Sequence, residues 1–159
     1  MNAQAKAASY GEASIAITRV YDAPRSLVWQ AWTDPKMMMQ WFGPRGFTNP
    51  VCELDVRVGG SLRIVMRGPD GNDYPMKGVF REVVPGERLV FTNIAVDNQG
   101  NHQLEGETTV TFAESNGKTT LTVKSRAVGL VPLAPQMLAG MEAGWTQSLE
   151  KLGESLRAA

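Results

Sequence analysis

An α+β fold, in which a curved seven-stranded antiparallel sheet wraps around a long C-terminal helix, is predicted by three features of this 159-residue sequence. Turn signals recur at short intervals between Phe47 and Ala127, and the segments between them alternate apolar and polar residues. A terminal stretch carries apolar residues at four-residue steps, as one face of a helix does. Two short helical segments, introduced by Pro24 and Pro35, separate the first strand from the rest.

The first strand starts near Ser14, with Ile15, Ile17 and Val20 among Thr18 and Tyr21. Asp22-Ala23-Pro24 opens a helix, because proline suits a first helical position whose N–H would have had no partner. Val28 and Trp32, like Leu27 and Ala31, lie four apart and give that helix one apolar face. Asp34-Pro35 stops it and starts a second helix with Met38, Met39, Trp41 and Phe42, which Gly43-Pro44-Arg45-Gly46 ends.

Six further strands follow, punctuated by Gly59-Gly60, Pro69-Asp70-Gly71-Asn72, Pro85-Gly86, Asn98-Gln99-Gly100-Asn101 and Asn116-Gly117. Asn-Gly and Asp-Gly adopt the positive backbone angles of tight hairpins. Leu62, Ile64 and Met66 alternate with Arg63 and Arg67; Val110 and Phe112 alternate with Thr109 and Thr111; Leu121 and Val123 alternate with Thr120, Thr122 and Lys124. One apolar and one polar side marks an antiparallel sheet covered on one face only. After Pro132 and Pro135, a single helix is expected to carry Met137, Met141, Trp145, Leu149, Leu152 and Leu156 across that face. Residues 1–13 are read as a flexible leader and residues 14–159 as one domain.

Composition removes several classes of function. Lys plus Arg and Asp plus Glu each total 16, so no cationic excess supports nucleic-acid binding. A lone cysteine, Cys52, rules out an internal disulfide and multi-thiolate metal sites, and a lone histidine, His102, rules out sites built on several imidazoles. No secretory signal and no stretch of about 20 apolar residues is present, which predicts a soluble, cytoplasmic protein without membrane insertion.

The chain resembles the SRPBCC superfamily of START and birch-pollen-allergen-like helix-grip proteins, and within it the branch named for activators of the heat-shock protein 90 ATPase. The resemblance rests on Arg19 through Asp22-Ala23-Pro24, on Val28-Trp29-Gln30-Ala31-Trp32-Thr33-Asp34-Pro35 and on Trp41-Phe42-Gly43-Pro44. It continues through Cys52-Glu53-Leu54-Asp55-Val56-Arg57-Val58-Gly59-Gly60, Gly78-Val79-Phe80-Arg81-Glu82-Val83, Leu89-Val90-Phe91-Thr92 and Gly144-Trp145 with Leu149 and Leu152. It implies a helix-grip fold that encloses an apolar ligand between sheet and helix, with catalysis in a minority of relatives. The co-chaperones behind the branch name carry an additional N-terminal domain, for which the roughly 14 residues before the first strand leave no room.

Leu62, Ile64, Met66, Phe80, Phe91, Phe112, Leu121, Met137, Met141 and Trp145 are the residues expected to line such a cavity. From the residues alone a filled core is the better reading, since interiors are close-packed; the resemblance reverses that preference. Gly140 and Gly144 sit within the expected helix at a cost of about 1 kcal/mol each relative to alanine. Close approach of a ligand and tight packing on a strand explain them equally well. Glu82 shares a strand face with Met76, Gly78 and Phe80, which would place it at the cavity's end as an acid or base; a salt bridge or simple exposure is the stronger reading. Asp55 and His102 are the other acid–base candidates, and His102, in a turn-rich stretch, is expected to be solvated. Cys52 alternates with Leu54 and Val56 as an inert buried thiol. No Gly-x-Ser-x-Gly elbow occurs, and Gly59-Gly60 lacks phosphate-loop spacing.

The leading expectation is a binding module for a small hydrophobic molecule, lipid-like, aromatic or polyketide-like, with no cofactor and no metal. An enzyme acting on such a ligand and a chaperone-cofactor or stress-response interaction protein stand as alternatives. Homodimerisation through a sheet edge or the Trp-rich helical segment is left open.

Overall fold

The structure, a computed structural model, describes residues 10–158. In chain order the elements are β1 (Glu12–Tyr21), α1 (Arg25–Thr33), α2 (Pro35–Trp41), β2 (Thr48–Leu54), β3 (Ser61–Arg67), β4 (Asp73–Val84), β5 (Arg88–Val96), β6 (His102–Ser115), β7 (Lys118–Gly129), α3 (Ala134–Ala139) and α4 (Met141–Ala158). The seven strands form one sheet in the order β1-β7-β6-β5-β4-β3-β2, and every neighbouring pair is antiparallel. The α+β architecture expected from the sequence is therefore present. Most of the leader lies outside the described residues. β1 starts earlier than Ser14, because Glu12 and Ala13 already pair with Val128 and Ala127.

Local chemistry accounts for the elements. Asn116 and Gly117 both hold positive φ, 55° and 76°, and form the two-residue turn between paired Ser115 and Lys118. This is the backbone a primed hairpin turn requires. Asp34 Oδ1 accepts the Lys36 backbone N–H at 2.9 Å, and Pro35 fills the opening of α2, so the Asp-Pro pair both stops α1 and starts α2. Pro24 acts one residue earlier than its sequence role suggested, as the cap whose carbonyl accepts from Leu27 and Val28.

The core lies between the concave sheet face and the helices. Leu89, Val110, Leu121 and Val123 rise from the sheet to meet Val28, Trp32 and Trp41 of α1 and α2 and Leu149 and Leu152 of α4, all at most 1% exposed. Two polar ties fix this packing: Tyr21 Oη donates to Leu149 O at 2.8 Å, and Thr119 Oγ1 donates to Ala23 O at 2.7 Å. Burial pushes the Tyr21 phenol well above its ordinary value, consistent with a neutral donor at neutral pH.

The terminal helix differs from expectation. It is broken, with α3 ending at Gly140, where φ −88° and ψ −2° close the turn and the Gly140 N–H returns to Met137 O at 3.3 Å. Met137 therefore sits on α3, and Met141 is the first residue of α4. Glycine's low helix propensity makes position 140 the cheapest place for the break. Among the described residues no helix is long and apolar enough to cross a membrane.

Candidate functional site: a cavity between the sheet and the broken helix

The inner face of the sheet grades from large to small side chains. At one end stand Leu89, Val110, Phe112, Leu121 and Val123, packed solid against α1 and α4. Towards the other end the same inward positions hold Asn93 and Ala95 on β5 and Ser125 and Ala127 on β7. Gly106 of β6 stands opposite both Asn93 and Ala127 and carries no side chain. A Cβ there would lie 2.1 Å from Arg126 O, so only glycine fits. The helices do not sink to fill the shortfall, and a cavity of about 420 Å³ results, open to solvent on one side. Its size falls in the range of small-molecule sites.

Four groups of residues wall it. Phe91, Asn93, Ala95, Leu104, Ser125 and Ala127 form the floor; Met66, Tyr74, Pro75 and Met76 of β3 and β4 form one side. Phe42, Gly43, Pro44 and Phe47, in and beside the loop after α2, form another. The roof is Met137 of α3 with Met141, Gly144, Trp145 and Ser148 of α4. Trp145 is half-buried: one side stacks on Trp32, centroids 6.1 Å apart and planes at 16°, and Phe42 meets it edge-on at 5.9 Å. None of the wall carries a charge, so the site is suited to a neutral apolar body.

The 43–45 loop is clamped onto α4. Ser148 Oγ accepts from the Gly43 N–H at 3.0 Å and donates to Gly144 O at 2.9 Å, while Lys151 Nζ donates to Gly43 O and Pro44 O at 3.0 and 3.2 Å. Arg45 N–H reaches Gln147 Oε1 at 3.0 Å, and the Arg45 guanidinium pairs with Glu154. Burial, with Arg45 nearby, lowers the Lys151 ammonium below its usual range. These bonds fix the loop that supplies part of the cavity wall.

Of the residues expected to line a cavity, Met66, Phe91, Met137, Met141 and Trp145 do so. Leu62, Ile64 and Phe80 surround instead a void of only about 10 Å³, a filled core in practice, to which Phe91 also contributes. Phe112 and Leu121 lie in solid packing, 4% and 0% exposed. Sequence reasoning passed over Phe42, Phe47, Asn93, Ala95, Ser125 and Ala127. Extending the alternation of Leu121 and Val123 by two more steps would have turned Ser125 and Ala127 inward.

The acid–base candidates are not in the cavity. A β-bulge between Phe80 and Glu82 puts Arg81 and Glu82 both outward, and Glu82 pairs with Arg88 at 3.2 Å. The bulge is the reason a strict two-residue period misplaced it. Asp55 holds Arg57 at 2.9 Å just after β2, and His102, the first residue of β6, has Nδ1 2.7 Å from Glu105 Oε2. All three pairs are solvent-exposed. No group of three or more His, Cys, Asp or Glu residues among the described residues is placed to hold a metal.

Cys52 is half-buried beside the core, and burial, with smaller contributions from Asp34 and Glu53, pushes its thiol up to about 11. Aromatic disulfide reagents at pH 8 are expected to label it slowly in the folded protein and promptly in urea, because the thiolate is the reactive form. An unfolded thiol loses its proton near pH 9 and the folded one near 11, so the folded state retains the extra proton between them and stability falls as pH rises through that window. Cys52→Ala should flatten that part of a stability–pH curve. Prompt native labelling at pH 8 would contradict the burial argument.

A curved antiparallel sheet gripping a C-terminal helix, with an apolar hollow between them, defines the helix-grip class of the SRPBCC superfamily. Within it the chain belongs to the family described as Activator of Hsp90 ATPase homolog 1-like protein, whose model matches residues 22–157. Solved structures agree. A protein from Chromobacterium violaceum is 28% identical, with TM-score 0.75 over 90% of this chain and 96% of that one. The AHSA1 protein from Silicibacter pomeroyi is 26% identical, with TM-score 0.78 over 92% and 99%. A protein from Nitrosomonas europaea is 25% identical, with TM-score 0.74 over 92% and 95%. No curated protein matches the chain.

Proposed function

We propose that this protein binds a small hydrophobic molecule in the cavity between the sheet's small-residue end and the α3–α4 roof. The observation that carries the reading is a hollow of about 420 Å³ without one charged side chain in its wall. Burial of apolar ligand surface there supplies affinity at about 25 cal/mol per Å² before the costs of association are deducted. Met66, Met76, Met137 and Met141 suit a pocket that accepts more than one apolar shape, since the thioether chain is flexible and polarizable.

Native mass spectrometry of freshly purified protein and titration with the neutral fluorophore N-phenyl-1-naphthylamine test this. The expected result is a saturable one-to-one fluorescence rise, with a raised melting temperature at saturating probe. No saturable rise, no thermal shift and no copurified species would overturn the reading.

A further inference from the structure

Within the apolar wall lies one polar chain, buried at Thr108 and Ser125 and half-buried at Asn93. Thr108 Oγ1 on β6, 0% exposed, donates to Asn93 Oδ1 on β5 at 2.8 Å and stands 2.8 Å from Ser125 Oγ on β7. A threonine hydroxyl has one proton. Since Thr108 gives it to Asn93, Ser125 must be the donor in the second contact. The chain therefore runs from Ser125 through Thr108 to Asn93, and it has two ends. At one, Ser125 Oγ keeps an acceptor lone pair. At the other, the Asn93 amide, its oxygen engaged by Thr108, keeps both Nδ2 protons, and no protein group among the described residues accepts them.

Asn93 and Ser125 both line the cavity; Thr108 lies behind them. Asn93 Oδ1 is the acceptor for the buried Thr108 hydroxyl proton, which accounts for the amide's oxygen. It does not account for the amide's two N–H groups. What the amide adds is a pair of N–H donors on a residue of an otherwise apolar cavity wall, polarised by the hydroxyl that its oxygen engages. The other polar side chains of the wall are accounted for. Tyr74 Oη donates to Asp70 and Ser148 Oγ is committed to the clamp, which leaves the Trp145 indole N–H as the other lining donor without a protein partner. An ionised ligand would find no countercharge here, and an uncompensated buried charge is far costlier than an unmet amide.

We propose that the ligand is a neutral, largely apolar molecule carrying a carbonyl-type oxygen, and that Asn93 Nδ2 donates to that oxygen. This rests on the binding function proposed above and narrows it. Asn93 sets specificity: it selects an oxygenated ligand over a hydrocarbon of the same shape.

The rigid pair 9-fluorenone and fluorene, which differ by C=O against CH₂, tests it by displacement of N-phenyl-1-naphthylamine. The ratio of the fluorene Kd to the fluorenone Kd is compared between the wild-type protein and Asn93→Leu, so that the two compounds' different hydration cancels. The ratio is expected to fall about tenfold in Asn93→Leu, the size of one buried hydrogen bond to a neutral group, and to stay unchanged in Trp145→Phe, which keeps an aromatic wall without the indole N–H. Circular dichroism checks that both variants remain folded. A ratio unchanged by Asn93→Leu, or one that falls in Trp145→Phe instead, would overturn the role of Asn93 while leaving apolar binding intact. Tighter displacement by fluorene-2-carboxylate than by fluorenone would overturn the neutral-ligand assignment. Failure of probe, ketone and hydrocarbon alike to bind would remove the binding function itself.

Discussion

Replacing Trp41 with alanine is expected to destabilise the fold by about 3–5 kcal/mol, the range for deleting a large aromatic from a packed core. Trp41 is 0% exposed, its ring lies 4.7 Å from that of Trp32 and 5.9 Å from that of Phe42, and its Nε1 donates to Ala31 O at 3.0 Å. That single bond ties α2 back onto α1, and Phe42 in turn leads into the loop that walls the cavity. Denaturant titration followed by far-ultraviolet circular dichroism reads the loss. Trp41→Phe, which keeps most of the ring contact and drops the N–H, should cost about 1–2 kcal/mol. A loss under about 1 kcal/mol for the alanine variant would mean that the two short helices do not depend on this cluster. Trp145→Ala is the instructive contrast. The sequence places Trp145 on the helix that covers the sheet, and burial beneath it would have been worth the same 3–5 kcal/mol. Its ring instead has one packed side and one side facing the cavity, so the expected loss is about half as large or less.

That contrast marks how far the sequence was legible. Turn chemistry and alternation are local signals, so Asn116-Gly117, Asp34-Pro35 and the inward set of Leu121 and Val123 could be read directly. The chain order of the elements followed, because short antiparallel links leave few topologies. The cavity was less legible for a physical reason: it is made by side chains that are missing. Large apolar residues announce an inner face, and Leu62, Ile64, Phe80, Phe112 and Leu121 were singled out on that ground, yet their size is why they fill their surroundings. Ala95, Gly106, Ser125 and Ala127 leave room, and nothing in their composition distinguishes them from exposed small residues until the register is known. Glu82 and Gly140 mark a different limit: the salt bridge preferred for Glu82 is present, but its strand face was misassigned, and the helix was read as unbroken. Each sits where a regular period is broken, by a bulge in one case and a helix break in the other, and a periodic reading carries straight through both. Asn93 was invisible because its meaning lies in partners 15 residues away on β6 and, through Thr108, on β7.

Gly144→Phe is expected to abolish most ligand binding while leaving the fold nearly untouched. Gly144 lies in α4 on the cavity roof, and a Cβ added there would meet only Pro44 Cγ, at an ordinary 3.7 Å. Glycine within a helix is itself unfavourable by about 1 kcal/mol relative to alanine, so a side chain at this position recovers propensity even as phenylalanine loses some to rotamer restriction. Because Gly144 lines the hollow beside Met141 and Trp145, the new ring is expected to extend into it. If it takes the place of about 100 Å² of ligand contact, the loss at about 25 cal/mol per Å² is about 2.5 kcal/mol, close to a seventyfold rise in Kd. The same fluorophore titration reads the affinity, and thermal unfolding without ligand should stay within about 3 °C of the wild type. Gly144→Ala separates the two effects: it should raise stability slightly and reduce affinity little, because one methyl group takes up little of the space. Unchanged affinity in Gly144→Phe, in a protein that still unfolds cooperatively, would place the bound molecule somewhere other than between this helix and the sheet.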